Sequence, residues 1–434
     1  MSPAEIGVLG MGVLFALLFL GVPVGIALGA VGSVGFAAVS GFQPALGIVR
    51  LVPYSTFSNY GLIVIPLFVL MGNFAFHSGM SGDLYNTARA WFGRVRGGLA
   101  MSTVAACAAF GAVCGSSVAT AATMGKIALP EMKKHDYDDA LATGTLAAGG
   151  TLGILIPPSV IMIIYGVLTG NSIGKLFLAG FLPGMLQAVF YMVLIGGICL
   201  LYKKKGPAGE PISIWNKVKS LRHSWAVLIL FALVIGGIYF GIFSPVEAAG
   251  VGAFGAFFIS LVRRQLNWTK FKHSLTDAVM TSGMIFIIML GANMFGYFLA
   301  VTGLPRALSE SLLALDVNRY WILLIIMIVY IVLGMFMDSM AMILVTLPIF
   351  YPVVMELGFH PIWFGIIVVR VAEIGLITPP VGMNLYVIQG IADRVPMGKV
   401  FRGATPFVVA DFVHVAVLVA LPVISTFLPD IMMG

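Results

Sequence analysis

Apolar runs of helix length dominate the chain, separated by short stretches that gather its charges. A membrane-spanning helix takes about 20 apolar residues, with a range of about 17–25. On that measure crossings are expected near 4–21, 23–40, 60–77, 139–168 and 174–202, and again near 223–242, 245–262, 275–301, 361–390 and 403–428. Two further apolar stretches, 98–132 and 319–355, are too long for one crossing and carry small or polar residues at their middles. Each is expected to be a re-entrant hairpin that enters and leaves on one side. Two shorter stretches, 81–96 and 304–318, precede the hairpins. They mix charges with apolar residues and are expected to lie along the membrane surface.

Two of the crossings cannot be regular helices. One contains Pro157-Pro158 and the other Pro379-Pro380. Proline has no N–H to give to the carbonyl four residues back. The first pair should therefore leave the carbonyls of Gly153 and Ile154 unpaired, and the second those of Gly375 and Leu376. In a bilayer such groups are tolerated only where protein buries them or where they line a cavity.

The two breaks also mark a repeat. Pro157-Pro158 and Pro379-Pro380 lie 222 residues apart. Gly174-Lys175 matches Gly398-Lys399, and Ser78-Gly79-Met80 resembles Thr302-Gly303-Leu304, both at 224; Leu129-Pro130 matches Leu347-Pro348 at 218. Such internal symmetry points to a repeated structural unit. Each unit has five crossings, an odd number, so the second is inverted relative to the first. The expected fold is an all-α polytopic membrane protein: inverted repeats with about ten crossings, two re-entrant hairpins and two Pro-Pro-broken helices. Discontinuous helices meeting near the midplane are the architecture of secondary transporters.

Composition excludes a soluble protein with an anchor. The chain is 60% hydrophobic and 9% charged, against about 25% charged in soluble proteins. The net charge of +7 is not a nucleic-acid signal, because of where it falls. Of 24 Lys and Arg, the layout puts 18 on one side and only Arg50, Lys175, Arg306 and Arg319 on the other. Lys126 and Arg370 lie within the apolar segments, and Lys126 is expected to snorkel to the cytoplasm. The basic side is expected to be cytoplasmic, with both termini outside, the first hairpin opening to the cytoplasm and the second outward. The Lys203–Lys205 run belongs to this topology signal. No Lys or Arg precedes Arg50, so the basic n-region of a signal peptide is missing. Cys107, Cys114 and Cys199 lie in apolar segments without a Cys-x-x-Cys pair, so neither a disulfide nor a metal is inferred.

Candidate chemistry collects at the hairpin middles. The first tip runs Gly115-Ser116-Ser117-Val118-Ala119-Thr120-Ala121-Ala122-Thr123. Its hydroxyls and carbonyls are hard oxygen ligands suited to Na⁺, and half-helix N-termini there would attract a carboxylate. Small residues also permit close helix packing without any ligand, but the neighbouring Pro-Pro break favours the ion reading. The second tip, Gly334-Met335-Phe336-Met337-Asp338-Ser339-Met340-Ala341, carries an intramembrane acid, which is costly and commonly functional. Asp338 could bind a cation, carry a proton, or cap backbone N–H groups. Arg370 and Glu373 share a helix face; an intrahelical ion pair is favoured over Arg370 meeting an anionic substrate. Asp411 and His414 are also three apart, and a mutually satisfied pair is favoured over a proton relay.

Four segments together carry a resemblance: 115–123, Leu-Pro-Glu-Met-Lys-Lys at 129–134, Ile-Pro-Pro-Ser at 156–159, and Gly-Leu-Ile-Thr-Pro-Pro-Val-Gly-Met-Asn at 375–384. They closely resemble the large membrane subunit of tripartite ATP-independent periplasmic (TRAP) transporters, and the resemblance covers essentially the whole chain. It implies a permease of the bacterial inner membrane, not an enzyme. Its implied partners are a small membrane subunit of about four helices and a periplasmic substrate-binding protein. The implied activity is Na⁺-driven import of an organic acid by an elevator motion. On that reading 1–97 and 223–318 are scaffold helices with surface arms, 203–222 is a cytoplasmic seam, and 98–202 and 319–434 carry the hairpins and broken helices. The motif carries one Na⁺ site to Ser116, Ser117, Gly150 and Ile154, and a second to Gly334, Asp338, Gly375 and Thr378. Thr120, Ser159, Arg370 and Asn384 become substrate candidates. Ser117 stands where many members of the wider group have Asn, and the second tip departs further, with Met at several places. No organic cofactor is implied.

Two other classes compete. One is a self-sufficient Na⁺ or H⁺/organic-anion symporter of related fold, which would lack genes for a small subunit and a binding protein beside its own. The other is an intramembrane aspartyl protease using Asp338. Such enzymes carry Gly-x-Gly-Asp, whereas Met-Phe-Met precedes Asp338.

Overall fold

The computed structural model describes residues 1–209, 212–313 and 317–433, and in them the chain is built from helices. Seven helices are long and apolar enough to cross a membrane, or nine if each of two bent pairs counts as one span. Pro3–Phe19 and Val24–Ser40, at 17 residues each, sit at the short end of the spanning range.

Helix pairs stand where the hairpins and breaks are expected. Gly98–Cys114 and Ser117–Lys134 form the first hairpin, and Arg319–Phe336 and Ser339–Glu356 the second. The first broken crossing is Asp139–Leu155 followed by Val160–Thr169, bent by 41° at Pro157-Pro158. The second is Pro361–Leu376 followed by Met383–Ile391.

Several expectations need correction. Residues 42–57, left without an element, form the helix Phe42–Phe57 despite Pro53. The seam contains a short helix, Ile214–Leu221, with Ile214 and Trp215 exposed. The crossing near 223–242 has a π-helical turn at Ala232–Gly236, and the one near 275–301 extends to 35 residues, Trp268–Thr302. The last crossing ends at Ala420, because Pro422 cannot continue it, and a separate helix, Val423–Met433, follows. The helix Met80–Phe92 forms where 81–96 was expected, and Leu304–Leu313 occupies the start of 304–318. Residues 314–316 of that stretch, and 210–211 of the seam, lie outside the described residues.

The helices pack in two groups. One is centred on Trp268–Thr302, which lies along Val24–Ser40 and also meets Tyr60–His77 and Phe42–Phe57; Pro245–Val262 joins through Tyr60–His77. The other is centred on Asp139–Leu155, held by both arms of the first hairpin and by Met397–Ala420. Glycine sets the first contact. A Cβ on Gly32 would stand 2.6 Å from the Met294 carbonyl carbon and the Phe295 nitrogen, whereas one on Gly29 finds nothing nearer than 3.7 Å. Helices in lipid gain little from apolar burial against one another, so such backbone-to-backbone approach carries their association.

The basic loops gather at one end of the bundle. Gly97 N–H donates to the Gly206 carbonyl, Gly209 N–H to that of Gly93, and Asp138 N–H to that of Lys205. Arg89 pairs with Glu131 at 2.7 Å and Lys399 with Asp139 at 3.2 Å. These ion pairs are partly exposed and contribute little energy; they report which loops are neighbours.

A buried ionic cluster holds the second broken crossing to the helix after it. Arg370 on Pro361–Leu376 pairs with Asp411 on Met397–Ala420, both fully buried, and its Nε donates to His414 Nδ1 at 3.2 Å. The favoured Arg370–Glu373 pair is therefore absent among the described residues, and Asp411 and His414 are joined through Arg370 instead of to each other. The reason is geometric: the guanidinium reaches a carboxylate on the facing helix, and Glu373 turns toward the hairpin tips. Next to Asp411 stands Tyr191, which accepts a bond from Gln187 Nε2 at 2.7 Å; Gln187 also reaches Thr151 Oγ1 at 3.3 Å. Polar contacts thus run from one broken crossing to the other.

Two stability tests follow from this packing. Gly32→Ala forces backbone apart and should cost about 1–3 kcal/mol, read as a lower melting temperature of the purified protein in detergent; Gly29→Ala should leave it unchanged. Asp411→Asn strands a buried guanidinium and should cost about 3–5 kcal/mol. The double variant Arg370→Met with Asp411→Leu should recover most of that loss, and equal melting temperatures for single and double variants would count against the pairing.

Candidate functional site

Each hairpin turns on a capping residue chosen by local chemistry. Gly98–Cys114 ends on Gly115, whose φ of 64° suits a residue without a Cβ. Ser116 then caps the returning arm, its Oγ accepting the Ala119 N–H at 3.4 Å. The second hairpin has no glycine at its turn: Met337 is extended (φ −135°). Asp338 caps the returning arm, its Oδ2 accepting the Met340 N–H at 3.0 Å. Oxygen-bearing side chains at N-caps satisfy amide groups that a helix start leaves free. Both returning arms thus present helix N-termini, with their partial positive charge, at the tips.

The tips close onto the breaks through glycine. Ile156 N–H closes on the Leu152 carbonyl, and the two prolines after it have none to give to Gly153 and Ile154. Against this break lies the first tip. A Cβ on Gly150 would stand 3.0 Å from the Ser117 carbonyl oxygen, and one on Gly153 would stand 2.9 Å from that of Ser116 and 2.6 Å from Thr120 Oγ1. Thr120 is fully buried, and its hydroxyl has no hydrogen-bond partner among the described residues. At the second break, a Cβ on Gly375 would come within 2.6 Å of the Gly334 backbone, and Gly382 N–H donates to the Met335 carbonyl at 3.1 Å.

The second break differs from expectation in one respect. The Gly375 carbonyl is not free, because Thr378 N–H donates to it at 3.1 Å. The chain tightens by one residue before the prolines, giving that carbonyl a donor three residues on. Thr378 Oγ1 donates back to the Ile374 carbonyl at 2.6 Å. Pro157 and Pro158 are buried, whereas Pro379 and Pro380 are exposed.

A cavity of about 360 Å³ brings the two tips together. Ser116, Ser117 and Ile154 line it from the first tip and break, and Asp338 and Met340 from the second tip. Asn73, Asp277 and Thr281 face them from the other helix group, and Lys126 also lines it. Lys126 is exposed. The cavity does not touch Ser159, Arg370 or Asn384. Ser159 is buried and caps Val160–Thr169, and Arg370 is held in its ionic cluster. Asn384 follows the second break yet serves the first tip: its Nδ2 donates to Ser117 Oγ at 2.8 Å and to the Ala147 carbonyl at 3.2 Å.

Sequence reasoning passed over Asp277 and the Gln187–Tyr191 pair. Asp277 had a signal, being an acid near the start of an expected crossing. Gln187 had a weaker one, a lone amide in an apolar run.

The arrangement offers hydroxyl, carbonyl and carboxylate oxygens around two helix N-termini, inside a cavity walled by both helix groups. The comparisons with known proteins agree with a transport role. Residues 11–424 match the family profile described as "Tripartite ATP-independent periplasmic transporter, DctM component". The C4-dicarboxylate TRAP transporter large permease protein DctM of Pseudomonas aeruginosa is 38% identical over 378 residues, covering 87% of this chain and 88% of that one. The sialic acid TRAP transporter large permease protein SiaM of Vibrio cholerae is 33% identical over 420 residues, covering 96% and 97%. The crystal structure of the Alcanivorax borkumensis YdaH transporter aligns with a TM-score of 0.68 over 93% of this chain and 97% of that one, and at 15% identity it speaks for the fold alone. With the profile matched over nearly the whole chain and relatives aligned along most of their own length, the chain belongs to the DctM family of tripartite ATP-independent periplasmic transporter large permeases.

Proposed function

We propose that this permease imports a carboxylate-bearing organic acid across the bacterial inner membrane, coupled to Na⁺, by an elevator motion. The observation that carries the proposal is the cavity where both tips meet. Its walls come from the hairpins and first break on one side and from Tyr60–His77 and Trp268–Thr302 on the other. A cavity at the seam of two helix groups changes its access when one group slides past the other. The hairpin-and-break group is the moving body, and the group centred on Trp268–Thr302 is the scaffold.

Matched contacts in the two halves support this division. Gly111 packs on Gly153 as Gly334 does on Gly375, and the matched positions lie 222 or 223 residues apart. Ser116 and Asp338, 222 apart, play the same capping role. The basic end of the bundle is cytoplasmic, both termini are periplasmic, and the cavity lined by Lys126 opens inward.

Ser116, Ser117, Gly150 and Ile154 hold one Na⁺; Gly334, Asp338, Gly375 and Thr378 hold a second. Na⁺ is cargo here, and the oxygens offered are the hard ligands that alkali and alkaline-earth cations take. Helix N-termini at Ser117 and Ser339 favour a carboxylate in the cavity, in keeping with the dicarboxylate and sialic acid in the relatives' names. Thr120 is a substrate candidate packed beside the first break, with a buried hydroxyl that has no partner among the described residues. A small membrane subunit of about four helices and a periplasmic binding protein complete the system.

Uptake into liposomes containing the chain and its small subunit, supplied with loaded binding protein, should stop when the Na⁺ gradient is removed. Uptake indifferent to Na⁺ would overturn the coupling. Ser117→Ala and Thr378→Ala should each raise the Na⁺ concentration for half-maximal uptake about tenfold, the equivalent of about 1.4 kcal/mol, with unchanged protein in the membrane. A full Na⁺ response in both variants would overturn the site assignment.

A further inference from the structure

Glu373 is not among the ligands of the two ion sites above, yet it stands beside a serine of each hairpin tip. It is fully buried, on the last turn of Pro361–Leu376 before the second break. Its Oε1 accepts from Ser339 Oγ of the second tip at 3.4 Å. Ser117 of the first tip, which accepts from Asn384 Nδ2 at 2.8 Å, also lies near the Glu373 carboxyl group. Glu373 thus touches both hairpins and stands one residue from Ile374, whose carbonyl takes the Thr378 hydroxyl.

Two observations show that this junction is incomplete. First, Glu373 Oε2 and Asn384 Oδ1 are both buried and have no hydrogen-bond partner among the described residues. The orientation of the Asn384 amide is set by the Ala147 carbonyl, which can only accept, so Nδ2 faces it at 3.2 Å. The oxygen is therefore the end left over. Second, the charge is not balanced. Among the described residues no Lys, Arg or His forms a salt bridge with Glu373. The nearest cation in sequence, Arg370, acts on Glu373 only from a distance, its contacts being made to Asp411 and His414. A carboxylate buried against neutral hydroxyls alone is strongly disfavoured, whereas one that meets a counter-charge is not.

We infer that Glu373, Asn384, Ser117 and Ser339 form a further binding site for a monovalent metal cation, placed between the two hairpin tips. One carboxylate supplies one formal negative charge, which a single monovalent ion neutralises. The amide oxygen and two hydroxyls supply hard neutral ligands. A cation here would draw the first tip, the second tip and the second break onto one centre. Loading it would tie the two halves of the moving body together, so that neither tip opens alone. The inference rests on the Na⁺-coupled reading and adds to it a residue and an ion.

The test is equilibrium binding of radioactive ²²Na⁺ to the purified full-length chain in nanodiscs, with choline replacing Na⁺ at constant ionic strength. Glu373→Gln keeps the shape and removes the charge. It should bind one Na⁺ fewer per chain than the wild type, while its melting temperature without Na⁺ is equal or higher. Ser339→Ala keeps the charge and removes one ligand, and should weaken the Na⁺ midpoint severalfold. An unchanged Na⁺ count and midpoint in Glu373→Gln would overturn the inference; if that variant does not fold, an unchanged midpoint in Ser339→Ala would do the same. A wild type that binds no Na⁺ at all would instead overturn the coupling reading, and this site with it.

Discussion

Everything in this permease turns on main-chain groups that a helix cannot satisfy inside an apolar surround. An uninterrupted helix hides its amides and carbonyls from lipid. The Pro-Pro pairs open that arrangement in two places, and each opening has to be covered. The cover is a hairpin tip brought to backbone contact, which is why glycine stands on both sides of each junction: Gly111 with Gly153, Gly334 with Gly375. A side chain at Gly375 would hold the tip away from the break it closes. The same contact that hides carbonyls gathers oxygen-bearing groups at each tip.

The two junctions solve the problem unequally. The first tip turns on Gly115 and the second on an extended Met337. The first break is buried through both prolines, whereas the second leaves its prolines exposed and satisfies the Gly375 carbonyl internally. Formal charge is unequal as well: Asp338 stands at the second tip, and the first has only hydroxyls and carbonyls. Glu373 and Asn384, both from the second half of the chain, lie beside Ser117 of the first tip and offset that difference. The halves match in their glycine contacts and in the positions of their caps, and differ in the side chains they bring.

The helices were legible in the sequence because lipid imposes a length and a polarity on every crossing. The breaks were legible because proline lacks an N–H whatever surrounds it. The family was legible in four short motifs. Phe42–Phe57 was missed because a half-exposed helix with an internal proline and mixed polarity has no strong period to read. The second tip's capping residue was among the readings offered for Asp338, since an acid before an apolar helix is a common start signal.

Partner choice was not legible. Arg370 and Glu373 stand three apart on one face, and spacing alone favours pairing them. Tertiary structure sends Arg370 to Asp411 on a neighbouring helix and leaves Glu373 between the tips. Nor does spacing say that Asn384, beyond the second break, reaches Ser117, 267 residues away in sequence. By itself the sequence determined where a helix must stop and which residue types stand there, because those are local properties of the backbone. Only the tertiary structure decided which charges meet, because a buried charge settles on whichever partner packing brings within reach.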